Sequence, residues 1–172
     1  MKQVKLLLAF LAFALIGTSL QAQQDKSKRP SPPAVAKATI NGADIVIDYS
    51  SPAVKGRKLY GKLIPSGKPW RTGANEATTF EISKDVSIEG KTLSAGKYAL
   101  FTIGSADEWT IIFNKEASQW GAYGYDADKD ALRVKVKPSK AAEFAERMAF
   151  KIKDDGMVHL LWGDINVAFA VQ

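Results

Sequence analysis

Asn41-Gly42 stands between two segments whose apolar residues alternate, Ala36 to Ile40 and Ala43 to Tyr49. Both residues tolerate a positive φ, which the two-residue connection of a tight hairpin needs, so the pair predicts antiparallel strands on either side. In the second segment Ile45, Ile47 and Tyr49 fall on one face and Asp44, Val46 and Asp48 on the other. A strand with one buried side follows from that two-residue period.

The same text recurs along the chain. Thr78 to Ile82 alternates; Asp85 to Ile88 and Lys91 to Leu93 flank Glu89-Gly90 as a second hairpin; Tyr98 to Ile103 and Trp109 to Asn114 are joined across Gly104 to Glu108. Leu132, Val134 and Val136 face inward between basic residues, and Pro138 ends that strand. Ala141 to Ile152 carries both periods, and a short turn with a strand from about Arg147 is the expectation. Asp154-Asp155-Gly156 marks a third turn. From Val158 the alternation changes phase at Gly163-Asp164, where a turn or bulge is expected. Ser50 to Gly67, rich in proline and glycine, reads as a long connection with at most one helical turn near Lys58 to Ile64. Nine or ten short strands with no long helix predict an all-β fold: an antiparallel β-sandwich, jelly-roll or Ig-like. An outer-membrane barrel wants strands of about 10 residues with an unbroken lipid-facing band, and the outward faces here carry Lys, Arg and Asp instead.

The N-terminus sets the compartment. Lys2 and Lys5 precede an apolar run from Leu6 to Ile16, and Gly17-Thr18-Ser19 interrupts it before it reaches spanning length. Residues 1–22 read as a signal peptide, 23–33 as a Pro-rich, solvated polar leader, and 34–172 as a single domain. A periplasmic or secreted location is expected, with no transmembrane span after signal cleavage. The chain has no cysteine, so a lipoprotein anchor, disulfides and thiol chemistry are excluded. Lys2 and Lys5 supply two of the +6 formal charges, and the remaining cations are interspersed with acids. Nucleic acid is therefore not an expected partner. The oligomeric state is not encoded in any pattern.

The blocks "YSSPAVKGRKLYGKLIPSGKPWRTGANEATTFE", "LSAGKYALFTI", "WTIIFNK", "QWGAYGYD" and "LRVKVKP", in that order, resemble the bacterial family catalogued as domain of unknown function 2911. The resemblance runs from about Ser50 to Pro138. It implies an exported protein of Gram-negative bacteria and carries no activity, cofactor or catalytic residue.

Two stretches carry candidate chemistry. In Trp70 to Glu76, Arg71 offers a rigid fork of donors for a carboxylate, phosphate or sulfate, and Asn75 both donates and accepts. Either these groups and Glu76 face a ligand, or Arg71 pairs with Glu76 across the turn while Trp70 plugs the core. In Trp120 to Asp126, Trp120 and Tyr123 present aromatic faces that can stack on sugars or serve as half-buried supports. Asp126, Asp128 and Asp130 imitate the start of a calcium loop, but Ala131 stands at the sixth position and Lys137 at the twelfth. His159 is the only histidine, and no G-x-S-x-G elbow accompanies it. No cofactor and no metal is expected. The resulting reading is a domain that binds a small-molecule or carbohydrate-like ligand, or an envelope partner, without catalysis. A hydrolase using Glu76, with Asp126 as its companion carboxylate, and a purely structural or protein-interaction domain are the alternatives.

Overall fold

The computed structural model describes residues 25–172, and the expected signal peptide lies outside them. Ten strands follow one another: β1 (Pro33–Ile40), β2 (Ala43–Ser50), β3 (Thr79–Ile82), β4 (Val86–Ile88), β5 (Lys91–Leu93), β6 (Gly96–Gly104), β7 (Trp109–Asn114), β8 (Asp130–Val136), β9 (Ser139–Ile152) and β10 (Met157–Ala170). The only helical pieces among the described residues are two three-residue 3-10 turns, Lys26–Lys28 and Ala127–Lys129. No helix there is long and apolar enough to cross a membrane.

β1 and β2 form the hairpin expected from Asn41-Gly42, both with positive φ, in a register that opposes Ile40 to Ala43. Ile45 and Ile47 are fully buried and Tyr49 nearly so. One sheet holds six strands in the order β1-β2-β3-β6-β7-β8, all antiparallel. Apart from the β4–β5 hairpin between β3 and β6, spatial neighbours are sequence neighbours. This is a meander, whereas Ig-like and jelly-roll sandwiches are built on Greek keys.

The second layer is centred on β9 and β10. β9 bonds to the chain leaving β2, through Met148 N–H to the Pro52 carbonyl (2.9 Å) and Val54 N–H to the Glu146 carbonyl (2.8 Å). At the other side the C-terminus pairs with β4, where Ser87 and Gln172 exchange backbone bonds of 2.6 and 2.9 Å. Between the layers Trp70 stacks on Trp162 (5.5 Å, 11°), and Phe169 touches both Phe80 and Phe113. The two layers thus share one core in an open sandwich.

One strand is longer than expected. β9 is one strand of 14 residues from Ser139, not a turn followed by a strand from Arg147. The helical spacing of Ala141, Ala145 and Met148 arises because its pairing with β10 slips between Leu161 and Gly163 and again between Gly163 and Ile165. Such slips break a two-residue period without a helix. The phase change expected at Gly163-Asp164 is this bulge, and β10 continues through it.

The outer face of the six-stranded sheet is covered in one place. Ala99, Phe101 and Ile112 form a second small core with Ala77, against which Ala122 and Tyr125 pack from the β7–β8 connection.

Candidate functional site

The segment Trp70 to Thr78 is a closed loop laid against β6. Trp70 exchanges backbone bonds with Thr102 (2.8 and 2.9 Å). The Thr78 hydroxyl donates to the Thr72 carbonyl (2.7 Å) and the Thr78 N–H to the Arg71 carbonyl (3.1 Å). This aims Trp70 inward, where it is 4% exposed and lies between Trp162 and Trp109. Trp70 is therefore a core residue and offers no face to a ligand.

The β7–β8 connection is organised by a polar residue at the end of an apolar strand. Asn114 is fully buried. Its amide N–H groups donate to the Asp126 carbonyl (2.8 Å) and to Asp130 Oδ1 (2.7 Å). Its Oδ1 accepts from Glu116 N–H (3.0 Å) and Gln119 Nε2 (3.3 Å). All four of its hydrogen-bonding positions are used, as burial demands. Tyr125 rests on Phe101 (centroids 4.9 Å apart) and donates to Asp130 Oδ2 (2.7 Å), which also accepts from Arg133 Nε (2.6 Å). Burial and the bond to Asp130 push the Tyr125 hydroxyl up to about 12, against the opposing influence of Arg133. The acidic run is thereby accounted for. Asp126 caps the 3-10 turn through Asp128 N–H (3.0 Å), and Asp130 anchors Asn114, Tyr125 and Arg133.

The two candidate stretches meet. Ala77 N–H donates to the Gln119 carbonyl (2.9 Å), Gly121 N–H to the Asn75 carbonyl (3.2 Å), and Glu76 opposes Trp120 in an antiparallel bridge. Gly121 has φ +69, and a β-carbon there would lie 3.1 Å from the Tyr123 ring and 4.0 Å from Arg71 Nη1. The bare α-carbon permits the positive φ and leaves room for the Tyr123 ring, while Arg71 Nη1 stands at ordinary contact distance from the same point. Trp120 is 60% exposed and Tyr123 91%. These rings are surface groups, while Tyr125 takes the supporting role on Phe101.

Arg71 and Glu76 do not pair. Glu76 accepts from Arg29 Nη1 (2.8 Å) and lies 3.2 Å from Lys26 Nζ, both in the leader. Burial raises the Glu76 carboxyl, but backbone and side-chain hydrogen bonds and the charge of Lys26 outweigh it and hold the group below its ordinary range. Asn75 Nδ2 donates to the Ser31 carbonyl (3.1 Å) and Arg147 Nη1 to the Pro30 carbonyl (3.3 Å). The described part of the leader is thus tied down rather than freely solvated. Arg71 is the opposite case. Among the described residues it has no ion pair, its Nε is sealed from solvent with no acceptor, and its Nη groups keep some contact with solvent. Burial presses its guanidinium below the usual value, and Tyr123 partly restores it.

Beside this junction a cleft of about 400 Å³ lies between the leader and residues 117–119, lined by Lys26, Arg29, Asp48, Glu76, Thr79 and Lys97 among others. Asp48, not Asp126, joins Glu76 there. A carboxyl held below its ordinary range by hydrogen bonds and the charge of Lys26 is a poor proton donor, so Glu76 does not fit the acid role in the hydrolase reading. His159 lies outside the cleft, on the outward face of β10, where Nδ1 is 2.9 Å from Asn166 Oδ1.

Arg29, Lys26, Asp48 and Asn114 carry structural or site roles that sequence reasoning passed over. The first two sit in a polar tail with no periodicity to single them out. Asp48 looked like any outward strand residue. Asn114 did leave a trace, as a lone polar residue closing the apolar run Ile111-Ile112-Phe113.

The model of a family described as "Protein of unknown function (DUF2911)" matches residues 31–171. No curated protein and no solved structure matches the chain.

Proposed function

We propose, for a chain that belongs to the DUF2911 family of proteins of unknown function, a non-catalytic binding role directed at small acidic ring compounds, with acidic sugars as the best fit. The observation that carries this reading is the half-buried Arg71 guanidinium, without an acceptor among the described residues, beside the exposed Tyr123 ring. Leaving buried donors unmade costs about 1–3 kcal/mol, more for a charged group. A carboxylate, sulfate or phosphate supplied by a ligand can reach the two Nη groups in a forked contact and offset that cost through the guanidinium's charge. Tyr123, with Trp120 on the same turn, gives apolar faces on which a sugar ring can stack. Glu76 and Asn75 act one step back by holding the leader. We also place the protein outside the cytoplasm, periplasmic or secreted, on the strength of residues 1–22; fractionation of expressing cells checks this, and retention in the cytoplasm overturns it.

Calorimetric titration with uronic acid oligosaccharides and their neutral counterparts tests the binding reading. Acidic compounds are expected to bind, with stabilisation of about 2.7 kcal/mol at a hundredfold excess over Kd. Arg71→Gln is expected to weaken binding at least tenfold while the melting temperature holds or rises, and Arg71→Lys not to restore it. Equal binding of acidic and neutral sugars, binding of neither, or an Arg71→Gln variant that binds normally overturns the reading.

A further inference from the structure

The outward side of β9 and β10 carries a different chemistry. Phe144 is 64% exposed in the middle of β9. It stands on a ridge between two open hollows. One, of about 610 Å³, has Ala149 and Leu161 in its lining together with Lys140, Lys151 and Lys153. The other, of about 320 Å³, is lined by Arg57, Lys58 and Asp164 together with Leu59 and Gly163. Seven ion pairs occur among the described residues, and none includes Arg57, Lys58, Lys140, Lys151 or Lys153. Only Glu143 and Asp164 oppose these five cations in the lining of the two hollows. Arg57 is held in place by its own loop, donating to the Ala53 and Val54 carbonyls (2.6 and 3.0 Å).

We propose that this face docks on an anionic lipid surface, with Phe144 entering the headgroup layer and the five cations lying over lipid phosphates. Charge complementarity selects the occupant. Cations with no ion pair among the described residues, around one exposed aromatic, match the interfacial pattern, in which an apolar group is seated among headgroups and basic side chains gain about 1 kcal/mol each from an anionic leaflet. Single-stranded nucleic acid calls for a basic groove with several successive stacking rings, and this face offers one ring. The lysine stems can cover the apolar hollow while their ammonium groups reach outward. The face is separate from Arg71 and Tyr123, so the two proposals stand or fall independently.

The absence of cysteine makes a site-specific test direct. Ala142→Cys, an exposed position in the larger hollow, is labelled with a polarity-sensitive dye in the full chain. Lys91→Cys, exposed in the β4–β5 hairpin, is the control. With vesicles of phosphatidylglycerol in phosphatidylcholine, the dye at 142 is expected to shift to the blue and the dye at 91 not to. Phosphatidylcholine alone is expected to give no shift, and 0.5 M salt to abolish the response. Replacing Lys140, Lys151 and Lys153 by Gln is expected to weaken the response about fivefold per lysine, and Phe144→Ala to reduce the blue shift with the melt unchanged. No shift at 142, equal shifts at both positions, or indifference to lipid charge overturns the proposal. So does a shift that grows with protein concentration in the absence of vesicles, which would mark a second copy as the occupant.

Discussion

Trp70 and Trp120 occupy segments that look alike in the sequence and touch in the structure, yet one ring is sealed in the core and the other stands in solvent. Each precedes a short run containing glycine and polar residues, and Glu76 opposite Trp120 joins the two runs. The difference lies in what each segment is laid against. Trp70 is bonded to Thr102 of β6 and meets Trp162 from the opposite layer. Trp120 lies outside the six-stranded sheet, where Ala122 and Tyr125 already cover the small outer core. Local text announces an aromatic turn; the partner across the layer decides whether its ring is buried.

The largest expected effect comes from the buried ring. Trp70→Ala removes a stacked and an edge contact in the core and should cost about 3–5 kcal/mol in urea unfolding. A cost no larger than that of Trp120→Ala would erase the comparison. Next comes Asn114→Ala, which strips the Asp126 carbonyl, Asp130 and Glu116 N–H of a partner and should cost about 2 kcal/mol or more. Hydrogen exchange should then rise across residues 115–130 before the rest of the sheet. Uniform loss of protection would show that the turn does not open separately.

Glu76→Gln sharpens the role of the leader. At neutral pH it should cost about 1 kcal/mol or less, as exposed ion pairs do. Glu76 is held below its ordinary 4.5 in the folded state. Its contribution is therefore present above that pH and is lost as pH falls through the folded value. Melts of the wild type and the variant should converge in acid; a gap that persists there would assign the effect to packing. The smallest effect is expected for Trp120→Ala, within about 0.5 kcal/mol of wild type, alongside a measurable loss of affinity for the acidic ligand.

Much of the strand framework was legible because it rests on short-range rules. Asn41-Gly42 and Glu89-Gly90 sit where two-residue turns with positive φ belong, and the alternations of β2 and β8 point their apolar residues inward as read. The first half of β9 was not legible, because a bulged strand and a helical turn can share spacing over a few residues. At the site, Arg71 and Glu76 are close in sequence and opposite in charge, which suggested a pair. Glu76 turned instead to Arg29, 47 residues earlier, and left Arg71 without an ion pair among the described residues. That exchange had no signal in a polar, proline-rich segment.

The sequence by itself determined the all-β class, the hairpins, the inward faces and the loss of phase at Gly163, because these follow from turn geometry and a two-residue period. Tertiary structure alone decided which of two tryptophans is core, which cations Glu76 holds, that Asp48 rather than Asp126 lies beside it, and that Arg71 meets Tyr123 over Gly121. Those outcomes depend on which outer face each loop is laid across, a choice made by contacts tens of residues apart in the chain.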